Sequence, residues 1–163
     1  MIVSKKLSIL QGSNNMNDFN FNSVRYASHN HKTNFIECCN THLNTERVLD
    51  RETLPILYLI SLVEEVQPDI RHQVYNFDKH LIKTECLKEP WQTNGTLKAL
   101  RLAFNLWNGY TEEEKEVYST PYEIFDNHWA PYFVEAIKLR FKNAFEPLPG
   151  FFKTVYDIKR RKD

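Results

Sequence analysis

Thr93-Asn94-Gly95-Thr96-Leu97-Lys98-Ala99-Leu100-Arg101-Leu102-Ala103-Phe104-Asn105-Leu106-Trp107-Asn108-Gly109 carries the signals of one complete α-helix. Thr93 or Asn94 offers a side-chain oxygen to the unpaired N–H groups of a first turn. Leu97, Leu100, Phe104 and Trp107 recur at three- and four-residue spacing, and Ala99, Leu102, Ala103 and Leu106 cover much of the opposite side. Asn108-Gly109 ends the pattern with a pair suited to a left-handed terminator. A helix apolar over so much of its circumference must be packed among other helices.

The flanking sequence supplies those helices. Residues 54–66 are apolar almost all round (Leu54, Ile56, Leu57, Leu59, Ile60, Leu62, Val63, Val66) and belong in a core. Pro68 and Asp69 suit a helix start, and Ile70, Val74, Phe77 and Leu81 continue at helical spacing until Glu89-Pro90. Nearer the N-terminus, Ser28 can cap a helix carrying Phe35, Cys38, Cys39 and His42. Downstream, Thr111 with Glu114 predicts a capping box and a short helix to about residue 118. Thr120-Pro121 with Glu123 repeats that logic, and Pro131 opens a last long helix that runs to Pro147. No strand–turn–strand signal stands out; the alternation in Ile2-Val3-Ser4 suits at most one short strand. The expected fold is all-α: a compact single-domain helical bundle of five to seven helices, with residues 54–66 and 97–107 at its centre. Residues 1–27 form a polar, Asn-rich N-terminal arm with Phe19, Phe21 and Tyr26 as anchors. Residues 28–146 are the helical domain, and residues 147–163 a C-terminal aromatic and basic tail.

Composition narrows the class. Of 163 residues, 42% are hydrophobic and 13% aromatic, with 4 Gly and 7 Pro, which excludes collagen-like and wholly disordered chains. Lys plus Arg and Asp plus Glu both number 21, so no global field draws in nucleic acid or an anionic membrane. No apolar run is long enough to span a bilayer, and Lys5-Lys6 precede too few apolar residues for a secretory signal. Cys38, Cys39 and Cys86 are odd in number, two of them adjacent, as suits a reducing interior. The expectation is a soluble cytoplasmic protein, with no membrane partner and no cofactor.

Chemistry-bearing residues are few. His31, Cys38 and His42 share one helical stripe, and Cys38 and His42 lie one turn apart, as metal ligands can. Yet a structural zinc takes four N/S ligands and a catalytic one three, and neither Cys-x-x-Cys nor His-Glu-x-x-His occurs. Their other reading is core packing, which also applies to a cysteine nucleophile at Cys38 or Cys86, because nothing fixes an orienting group. The segment Trp91, Gln92, Thr93, Asn94, Gly95 with Lys98 and Arg101 sets a small-residue helix start beside two basic side chains. Either it caps a helix or it contacts an anion. It is not a phosphate-binding Walker loop, since the second glycine and the preceding strand are absent. Lys98 and Arg101 share a side of the helix and can point outward together. With Arg140 and the tail residues Lys159, Arg160 and Arg161, they are the candidates for contact with DNA or RNA. If Asn105 is buried, its amide needs a partner, most cheaply the backbone of the loop 90–96.

Trp91-Gln92-Thr93-Asn94-Gly95-Thr96, followed by Arg101-Leu102-Ala103-Phe104-Asn105-Leu106-Trp107-Asn108-Gly109, resembles the central motif of an uncharacterised family of small helical proteins. That family belongs to low-GC Gram-positive bacteria and their phages and mobile elements. Tyr58-Leu59, Arg71-His72, Tyr122 with Phe125, and the run from Tyr132 to Arg140 extend the resemblance over about residues 29–141. It implies a helical fold and no particular activity. A mobile-element setting implies a non-enzymatic protein that binds a host or defence protein as inhibitor or adaptor. The alternatives are a DNA- or RNA-binding protein using the basic helix start and tail, and a small metal- or cysteine-dependent enzyme using His31, Cys38 and His42.

Overall fold

All eleven residues of the helix Thr53–Val63 are buried, as its unbroken apolar sequence requires. This helix, α2, is the axis of the computed structural model, which describes residues 19–112 and 120–145. It packs against α1 (His29–Leu43), α4 (Asn94–Asn108) and α6 (Ala130–Arg140). Three short helices, α3 (Arg71–Val74), α5 (Pro121–Phe125) and α7 (Lys142–Phe145), bring the total to seven among the described residues. One antiparallel hairpin lies between α3 and α4, with β1 (Tyr75–Asn76) and β2 (Leu81–Ile82) pairing Tyr75 with Ile82 and Asn76 with Leu81. The described residues are thus all-α apart from this hairpin.

The caps follow the sequence closely. Ser28 Oγ accepts the His31 N–H at the start of α1. Thr93 and Thr96 exchange side-chain and backbone hydrogen bonds at the start of α4, and Gly109 closes that helix at φ 78°. Thr120 and Glu123 form the same reciprocal box on α5. At α2 the capping oxygen comes from Asp50, whose Oδ1 accepts the N–H groups of Glu52 and Thr53. Phe19 and Phe21 meet Phe35 edge-on at 6.1 and 5.6 Å, and the Tyr26 hydroxyl bonds the Phe21 carbonyl. The three aromatics therefore do anchor the segment before α1.

Three local expectations are corrected. The long helix expected after Pro68 does not form, because Asp69 adopts a left-handed φ of 61° and the helix that follows ends at Val74. Asn76 Oδ1 then accepts the Lys79 N–H, and His80 turns left-handed at φ 59°, which reverses the chain into the hairpin. Ile70, Val74 and Phe77 are buried as the stripe demanded, but Leu81 is exposed. The apolar helix 54–66 stops at Val63, leaving Val66 exposed. The last long helix breaks at Phe141 (φ −122°, ψ 46°), so α6 and α7 are separate. Residues 113–118 of the helix expected from Thr111, the tail 147–163 and residues 1–18 of the arm lie outside the described residues.

Candidate functional site

The motif 91–109 builds a tightly tied corner. Gln92 Nε2 donates to the Cys86 carbonyl, and its Oε1 accepts the Thr96 hydroxyl at 2.7 Å. Trp129 lies over Gly95, 3.8 Å from where a Cβ would stand. Gln92 and Thr96, rather than Asn105, therefore hold the loop before α4. Asn105 is exposed and donates to the Tyr110 carbonyl instead, fixing the chain after the helix. Thr93 and Asn94 are exposed, and Trp91 is half-buried with its indole N–H covered and unpaired.

The basic candidates do not form an outward pair. Lys98 Nζ donates to the Asp126 carbonyl at 3.0 Å, while Arg101 Nε donates to Glu112 Oε2 across a largely covered ion pair. Arg140 lies elsewhere, with Nη1 on Glu52 Oε1 at 2.7 Å. Each described basic candidate thus has an intramolecular acceptor. Lys159, Arg160 and Arg161 fall outside the described residues.

The stripe His31–Cys38–His42 does not converge. His31 and His42 lie in one helix about 16 Å apart along its axis. His31 is wholly buried; its Nδ1 accepts the Ala27 N–H and its Nε2 donates to the Tyr58 carbonyl. Burial holds its pKa down at about 4, so it is neutral. Cys38 and Cys39 are fully buried, and burial pushes the Cys38 and Cys86 thiols up to about 12 and Cys39 well above its usual value. No group of three or more metal-ligating side chains occurs among the described residues.

Two clusters escaped the sequence reading. Glu64, nearly buried at the end of α2, receives Arg71 in a two-pronged pair at 2.8 and 2.7 Å, and Arg71 also reaches Glu37 at 3.3 Å. The presence of Arg71 seven residues beyond Glu64 was no signal, because only the turn between them brings the two together. The second cluster gathers His42, Tyr75, His80 and Trp107. His80 lies 5.1 Å from His42, 5.9 Å from Tyr75 and 4.6 Å from Trp107, centroid to centroid. Burial lowers the pKa of both histidines. His42 Nδ1 and the Tyr75 hydroxyl are buried without a hydrogen-bond partner. Beside the cluster, Thr41, Asn44, Thr45, Asn76, Asp78 and Lys83 help line an open depression of about 410 Å³.

No curated protein and no solved structure matches the chain. A family model does match residues 21–149, which takes in every described helix and the whole motif corner. The chain belongs to the DUF6075 family, a family of unknown function.

Proposed function

We propose that this is a non-enzymatic binding protein whose partner is another protein. In the setting that the sequence resemblance implies, it is an inhibitor or adaptor from a phage or mobile element that acts in the cytoplasm on a host or defence factor. The observation that carries the reading is the group of exposed aromatics in the segment from α5 to α7. Tyr122 is 82% exposed, Phe141 49% and Phe145 50%. Large aromatics are the side chains a protein interface uses as anchors, and burying them against a partner is strongly favourable. The engagement of Lys98, Arg101 and Arg140 with internal acceptors favours a protein over a phosphate backbone. The high thiol pKa values favour packing roles for the cysteines over nucleophilic ones.

Affinity capture from the native host tests this, with the wild type beside Tyr122→Ser/Phe141→Ser. Both positions are exposed, so the double variant should keep its helical circular dichroism. The expected result is a protein captured by the wild type and reduced at least tenfold with the variant. Equal capture by both would remove these aromatics from the interface. Recovery of nucleic acid alone, lost on raising salt, would replace the reading with the phosphate-binding one.

A further inference from the structure

Tyr75 and Phe77 anchor the base of the hairpin in the core, while its exposed tip is gripped through one imidazole. Arg47, in the connection between α1 and α2, donates Nη1–H to His80 Nδ1 at 3.2 Å and Nη2–H to the Asp78 carbonyl at 3.4 Å. A guanidinium can only donate, so Nδ1 carries the lone pair and the ring proton sits on Nε2, which faces Thr53 Oγ1 at 3.5 Å. The same ring meets His42 of α1 and lies nearly perpendicular to the Trp107 ring of α4. His80 holds this position in the left-handed region, which disfavours a non-glycine residue and so needs support from its surroundings.

We propose that the hairpin tip, residues 78–81, forms an acid-released flap, latched at neutral pH by Arg47 on the unprotonated Nδ1 of His80. A proton on Nδ1 removes the acceptor and sets an imidazolium against the guanidinium. From α1 the ring faces His42, from the connecting segment Arg47 and Asp50, from α2 the Thr53 hydroxyl, from the hairpin Tyr75, and from α4 Trp107. Asp50 is a carboxylate acting on His80, and its Oδ1 already holds two backbone N–H groups at the start of α2. His42 reinforces the effect: its Nε2 donates to the Val48 carbonyl, so a second proton would enter at its buried, unpaired Nδ1. Burial, His42 and Arg47 all hold the His80 pKa below the usual histidine value, so release lies on the acid side of about pH 6.5. Opening would take Asp78 from the lining of the adjoining depression and uncover the Trp107 ring.

Hydrogen–deuterium exchange on the full chain at pH 7.5 and 5.5, corrected for the intrinsic pH dependence of exchange, tests the latch. Peptides covering residues 78–81 should exchange severalfold faster at pH 5.5 while α2 stays protected. Arg47→Ala, at an exposed position, should give fast exchange at both pH values. His80→Gln, which can still accept from Arg47 but does not titrate, should give slow exchange at both. A hairpin tip that is insensitive to pH in the wild type, an acid step that persists in Arg47→Ala, or loss of α2 protection in parallel would each overturn the flap. Should His80→Gln lose its helical circular dichroism, the Arg47→Ala comparison alone decides.

Discussion

His31 bridges two backbone segments with both ring nitrogens, and its neutral form is the only one that can do so. Its pKa of about 4 lies below the ordinary value near 6.5, so the unfolded chain binds the extra proton first. The stabilisation is therefore complete above pH 6.5 and is lost as pH falls toward 4, by about 3 kcal/mol. Urea melts at pH 7 and pH 4.5 should differ in the wild type, and that difference should shrink in His31→Gln; an unchanged difference would assign the acid loss to other groups. Arg71 makes the second residue-scale case. Arg71→Ala leaves Glu64 buried and unpaired, and should cost about 3–5 kcal/mol in chemical denaturation, far more than an exposed pair such as Arg51–Glu52. The helical spacing of Phe35, Cys38, Cys39 and His42 offered core packing as one reading of the cysteines, and both are fully buried. Spacing could not assign His31 or Arg71, whose partners Tyr58 and Glu64 are reached only through the tertiary fold.

The two glycines at the ends of α4 separate two kinds of backbone demand. Gly109 sits at φ 78° with nothing within 4 Å of the position a Cβ would take, so Gly109→Ala suffers only the left-handed penalty of about 1–2 kcal/mol. Gly95 lies inside the first turn and would place its Cβ at ordinary contact distance from Trp129. Gly95→Ala should be neutral or stabilise by up to about 1 kcal/mol. Thermal melts of the two variants should thus move in different directions; a large loss in Gly95→Ala would show that this helix start needs open backbone. Leu100→Ala and Phe104→Ala, in the buried face of the same helix, should each cost about 2–5 kcal/mol. Helix α4 was readable end to end because cap, stripe and terminator agree. The hairpin was not, because the spacing of residues 70, 74, 77 and 81 imitates a helix. That helix already ends at Val74, where Tyr75 turns extended, and the left-handed turn at His80 that reverses the chain has none of the glycine-containing pairs that usually announce one.

On the scale of the molecule, a helix buried on every side and packed on three others fixes the core, and apolar density alone predicted that centre. The surface was less readable, since outward direction depends on how helices seat. Lys98 and Arg101 share a helix side as their spacing requires, yet each finds an acceptor on the segments around α5 that no pattern in α4 could reveal. The large aromatics left most exposed among the described residues lie in the segment from α5 to α7. The central claim is that a protein partner covers that segment. Hydrogen–deuterium exchange of the complex with the captured partner, compared with the chain alone, tests it most directly. The account predicts slowed exchange in peptides spanning residues 121–145, with α1 unchanged. Slowed exchange confined to residues 91–101, or none at all on 121–145, would contradict it.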